Sequence, residues 1–145
     1  MTDKTEQAII TVARKLDMDP RELMEAVEGT ATLLSACHKL AVAGGWWNDV
    51  ETGEPLERNK GELLCLIHSE VSEAMEGERK NRMDDKLTYR KMAEVELADA
   101  VVRIGDYGDG FGYDVAAAMI EKMAFNITRA DHQPENRLKK GGKSF

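Results

Sequence analysis

Four acidic residues stand at spacings that suit metal chemistry. They are Glu70 and Glu73 in IHSEVSEAMEGE (67–78), and Glu96 and Asp99 in EVELADAVVRI (94–104). Residues three apart lie on one face of a helix, so each segment, read as helix, presents a carboxylate pair. The pairs interrupt runs that otherwise look core-forming, with Leu63, Ile67, Val71 and Ala74 around the first and Val95, Leu97, Val101 and Val102 around the second. Carboxylates gathered among apolar side chains repel one another and lose hydration, so such a cluster is sensible only with a cation. All-oxygen ligation selects Mg²⁺ or Mn²⁺ over zinc. Taken singly, each pair is equally the solvated face of an ordinary charged helix. Repetition on two consecutive apolar helices raises the metal reading, because residues 74–95 allow the first helix to finish, turn and return antiparallel.

A second set lies in EKMAFNITRADH (121–132), where Lys122, Asn126 and Arg129 fall at i, i+4 and i+7 on one helical face. An ammonium, an amide and a guanidinium suit phosphate oxygens, and arginine can bind them bidentately. The plainer alternative is a basic surface stripe near a helix C-terminus. Acids for a metal and bases for phosphate in one small chain fit a metal–triphosphate better than either set alone. Trp46 and Trp47 stand in a long loop, and loops of this length tend to be functional. The competing role for the tryptophans is to anchor the loop GGWWNDVETGEPLERNK (44–60) in the core.

The elements that must position these residues read as helices. Alanine, leucine, methionine and glutamate dominate, no stretch alternates in the strand manner, and prolines occur only at 20, 55 and 134. Helices are expected over about 3–16, from the Asp19-Pro20 start to about Val27 with Gly29 as a stop, and over 30–42 up to Gly44-Gly45. The 30–42 helix carries an apolar stripe of Leu33, Leu34, Cys37 and Leu40. Further helices are expected over 61–80, over 88–107, and from an Asp114 cap to about 130. The fold class is therefore all-α, a helical bundle. Cys37 and Cys65 lack CxxC spacing and read as buried free thiols. The net charge of −7 argues against a general nucleic-acid or acidic-membrane binder. No run approaches the roughly 18 apolar residues of a membrane span, and no leader-like apolar segment opens the chain, so a cytoplasmic location is expected.

Together these residues resemble the MazG-like all-α nucleoside triphosphate pyrophosphohydrolases, whose pattern is a Glu-x-x-Glu helix followed by a Glu-x-x-Asp helix. The likeness is closest to small phage and bacterial members. It runs through His38, Gly45-Trp46-Trp47, Gly61 to Ala74, Lys122-Met123, Asn126, Arg129 and Gly141-Gly142-Lys143. It departs at Lys140, where relatives often carry histidine. The resemblance covers about 30–143 and implies a pyrophosphohydrolase domain over 29–145, with 1–28 a helical extension. It implies a bundle of four core helices completed by a homodimer or homotetramer. It further implies that Glu70, Glu73, Glu96 and Asp99 bind Mg²⁺, with Mn²⁺ as a substitute, and that Glu73 and Glu70 are catalytic. Lys122, Asn126, Arg129, Trp47, His38 and Lys143 are the implied substrate contacts, with Trp46, Trp47 and His38 the candidates for stacking and polar contacts to a base and Trp47 the favoured tryptophan. The implied reaction converts a (d)NTP and water to a (d)NMP and pyrophosphate, leaning to purine deoxynucleotides. A phage-encoded enzyme acting in the host cytoplasm fits this likeness. The alternative reading is a catalytically silent helical module that binds nucleotides or regulates.

Overall fold

The structure, a computed structural model, describes residues 1–138. It is all-helical, as the composition requires, and among the described residues only two isolated β-bridges occur, Asn48 with Pro55 and Met83 with Lys91. The helices are α1 (Asp3–Leu16), α2 (Pro20–Ala43), α3 (Lys60–Lys80), α4 (Met92–Gly110), α5 (Val115–Thr128) and a short α6 (Pro134–Arg137), with a 3₁₀ turn over Ala130–His132 before α6. No described helix is long and apolar enough to cross a membrane.

The helix starts follow their capping residues. Thr2 accepts from the Thr5 amide at α1, Asp19 from the Arg21 amide at α2, Asn59 from Gly61 and Glu62 at α3, and Asp114 from Ala117 at α5. Two expected helix boundaries need correction. Gly29 does not end a helix, since α2 runs unbroken through it and a Cβ there would meet nothing within 4 Å. One unfavoured glycine costs a helix only about 1 kcal/mol, which a long helix absorbs. The second long helix starts at Met92 rather than near 88, because residues 81–91 form a structured hairpin loop.

The chain divides into two compact units, with the boundary inside α2. Among the described residues, Met1–Ala31 and those from Asp114 onward form one, and Thr32–Tyr113 the other. In the first, α1 packs on α5. Ala8, Ile9, Val12 and Ala13 bury the apolar face of α1, and Ala116 and Ile120 that of α5. Thr5, fully buried, donates its hydroxyl to Glu121 at 2.7 Å. Leu16, at the end of α1, is largely exposed.

In the second unit α3 and α4 form a tight hairpin. Asn81 ends α3 in the left-handed region, at φ 48°, with its amide bonded to the carbonyls of Gly77 and Glu78. Asp84 is buried and its Oδ1 accepts from the amides of Lys86 and Leu87, at 2.9 and 2.5 Å, which turns the loop. Gly77 then lets the helices close up, since a Cβ there would stand 3.0 Å from the Ala93 nitrogen and the Met92 side chain. Leu33 and Leu40, expected to bury with Leu34 and Cys37 in α2, are exposed in this chain, and Cys65 is exposed rather than buried.

Candidate metal centre

The inward stripe of α3 reads Leu63, Glu70, Ala74 and Gly77, and that of α4 reads Ala93, Glu96 and Ala100. An acid therefore occupies a core position on each helix, opposite small residues that hold the two backbones close. Glu70 is 6% exposed and Glu96 9%. Their carboxylates and that of Asp99 bring ligand oxygens within 4.8 Å of one another. Glu73 lies outside this close set and is exposed, yet its charge reaches Glu96.

The electrostatics match the geometry. The Glu96 carboxyl is pushed up to about 7, first by burial, then by the charge of Glu73, by its hydrogen bond with Glu70, and by the charges of Glu70 and Asp99. Crowding among the acids thus favours keeping a proton on Glu96 toward neutral pH, a repulsion that a divalent ion would offset. The donor set is all oxygen, partly buried and of one sign, so it fits a hard cation such as Mg²⁺ or Mn²⁺. The neighbouring cation is one that sequence reasoning did not single out. Arg103 Nε donates to Glu70 Oε1 at 2.5 Å. Its signal was available, because Arg103 lies seven residues after Glu96 and four after Asp99, on the same face of α4.

Beside the cluster lies a cavity of about 500 Å³, lined by Asp99, Arg103, Arg58, Trp46, Cys37 and Asp106 among others. Trp46, 66% exposed, is the tryptophan that lines it. Trp47 and His38 do not line it and instead both bond Asp106, which does. The Trp47 indole N–H donates to Asp106 Oδ1 at 2.7 Å, and the same oxygen accepts from His38 Nδ1 at 2.8 Å. A carboxylate only accepts, so Nδ1 carries the histidine proton. The two rings meet edge to face at 4.8 Å, and Trp47 also packs edge-on against Phe111. A Cβ on Gly110 would come within 2.4 Å of the Trp47 ring, so only glycine admits the indole. Trp47 and His38 thus anchor the long loop to α2 and α4, and the loop carries Trp46 to the cavity. Arg58 fixes the loop further, donating to the Trp46 carbonyl and lying over the Trp47 ring.

No family model, no curated protein and no solved structure matches this chain. The functional reading therefore stands on the geometry of the cluster and on the residue pattern.

Lys122, Asn126 and Arg129 belong to the other unit, on and just after α5. They share a sequence stripe but not an environment. Lys122 is exposed, with Nζ over the Phe125 ring at 4.7 Å. Arg129 binds Asp131 with both Nε and Nη2, at 2.9 and 2.5 Å. Asn126 lines a cavity of about 390 Å³ with Val12, Lys15, Leu16 and His132, and its Oδ1 is buried with no hydrogen-bond partner among the described residues. Lys143 and the Gly141-Gly142 before it lie outside the described residues.

Proposed function

We propose that this chain is a Mg²⁺-dependent nucleoside triphosphate pyrophosphohydrolase, converting a (d)NTP and water to a (d)NMP and pyrophosphate, with purine deoxynucleotides preferred. The observation that carries the reading is the convergence of Glu70, Glu96 and Asp99 within 4.8 Å, with Glu70 and Glu96 at buried positions of the α3–α4 interface and Asp99 exposed beside them. Glu70, Glu96 and Asp99 would hold the metal, and Glu73 would face it from the exposed rim. Bound there, Mg²⁺ would offset the repulsion of the acids, neutralise triphosphate charge and make a water nucleophilic at neutral pH. Glu73, exposed where Glu70 and Glu96 are buried, is suited to accept the proton of the attacking water. Trp46 offers an exposed aromatic face to a base entering the cavity beside the cluster.

The second unit also supports self-association. Leu64, Val71 and Met75 line one exposed face of α3, and Leu97 and Val101 are exposed on α4. Apolar side chains at these helical spacings call for cover, and a second copy of the chain in a homodimer or homotetramer would supply it.

The test is a panel of the eight common ribo- and deoxynucleoside triphosphates, assayed for monophosphate and pyrophosphate with and without Mg²⁺. Stoichiometric monophosphate and pyrophosphate, abolished by chelation and by Glu73→Ala in a folded protein, is the expected result. Mg²⁺-independent nucleotide binding with no turnover would instead favour the silent binding module. Equal turnover by Glu73→Ala would remove the site assignment.

A further inference from the structure

The ion pair between Arg103 and Glu70 has features that a purely structural bridge does not need. It crosses from α4 to α3 and places the guanidinium at the carboxylate cluster. The Glu70 side chain is only 8% exposed, whereas that of Arg103 is 42% exposed and lines the cavity beside the acids. The contact uses Nε alone, unlike the two-nitrogen grip of Arg129 on Asp131. A one-nitrogen pair with one partner half in solvent is the kind that exchanges, because the guanidinium loses little when it finds another anion.

A divalent ion and a guanidinium on the same Glu70 carboxylate repel each other and draw on the same negative charge. The released guanidinium would remain in the cavity, where oxygens of a triphosphate held by the metal would be its nearest anions. Arginine suits that second partner, since its planar fork matches phosphate geometry. We propose that Arg103 is a placeholder cation. It holds Glu70 while no metal is bound, yields it when the metal enters, and then binds a phosphate oxygen of the substrate. The inference rests on the metal-dependent hydrolase reading above and assigns Arg103 a part in it.

Two opposite changes follow. Removing a competitor tightens metal binding, and removing a phosphate donor weakens nucleotide binding. A guanidinium that serves only to hold α3 to α4 predicts no loss of nucleotide affinity. The experiment titrates Mn²⁺ into the full chain without nucleotide, following free Mn²⁺ by electron paramagnetic resonance, for the wild type, Arg103→Gln and Arg103→Lys. A nonhydrolysable α,β-methylene deoxynucleotide is then titrated at saturating Mn²⁺. Arg103→Gln should bind Mn²⁺ about fivefold or more tightly and the analogue about tenfold more weakly. Arg103→Lys, which keeps the charge but not Nε, should recover part of the analogue binding. In the wild type, the Arg103 Nε–H resonance should shift when Mg²⁺ is added and again when the analogue is added. Unchanged Mn²⁺ affinity in Arg103→Gln, unchanged analogue affinity, or an Nε–H signal indifferent to Mg²⁺ would each overturn the placeholder role and leave the metal site standing. A wild type that binds no Mn²⁺ would remove the metal site itself and the placeholder with it.

Discussion

The pair α1–α5 and the pair α3–α4 solve the same packing problem with different residues. Where α1 meets α5, the buried positions are Ala8, Ile9, Val12, Ala13, Ala116 and Ile120, with one hydroxyl–carboxylate hydrogen bond from Thr5 to Glu121. Where α3 meets α4, small residues bring the backbones together, yet two core positions are spent on Glu70 and Glu96. Burying one carboxylate beside others lowers stability. The first interface is explained by folding alone. The second is not, and the proposed metal site would account for its buried acids.

That contrast can be broken in order of expected effect. Glu70→Gln and Asp99→Asn should each lower nucleotide hydrolysis by about 100-fold or more while helix content and melting temperature hold or rise, since each removes a charge from a crowded site. Parallel loss of fold and activity would make these acids structural. Ile120→Ala, at the fully buried centre of the α1–α5 face, should cost about 2–5 kcal/mol in denaturant unfolding. A cost below 1 kcal/mol would mean that this interface is not the packed core described.

Gly77→Ala tests how closely α3 and α4 must approach. The added methyl would stand 3.0 Å from the Ala93 nitrogen and Met92. Easing the helices apart should cost about 1–3 kcal/mol and weaken Mn²⁺ binding in the same variant. Stability lost with metal affinity intact would separate packing from the site.

A smaller effect concerns pH. The Glu96 carboxyl lies at about 7 in the folded chain against 4.5 for an ordinary glutamate. Between those values the native state holds a proton that the unfolded chain has released. The metal-free protein should therefore lose stability as pH rises through that window and level off above it, by about 1–3 kcal/mol in total. Other carboxylates, such as Asp131 and Glu76, are shifted down by their basic partners and act below the window. Glu96→Gln should remove the slope, and an unchanged pH profile in that variant would show that Glu96 does not carry the proton.

Much of the α3–α4 unit was legible in the sequence. Acids at i, i+3 spacing inside apolar helices can be recognised from residue types alone, and Glu70, Glu96 and Asp99 do converge. The capping residues Asp19 and Asp114 were equally plain. What one sequence does not encode visibly is which apolar face meets which. Nothing in the periodicity said that α5, with Lys122 and Asn126, would pack on α1. Adjacent tryptophans were another blind spot. The choice between them depends on Asp106 and on the missing Cβ of Gly110, both remote in sequence. Arg103 was overlooked because it sits in the apolar run VVRIG, where a single base looks like a solvated exception.

The central claim is that these acids share a divalent cation, and the most direct test is a crystal soaked in MnCl₂ with data collected at the manganese edge. The account predicts an anomalous peak among Glu70, Glu96 and Asp99, with carboxylate oxygens at roughly 2.0–2.3 Å and Arg103 withdrawn from Glu70. An empty cluster at saturating Mn²⁺, with Arg103 still on Glu70, would contradict it.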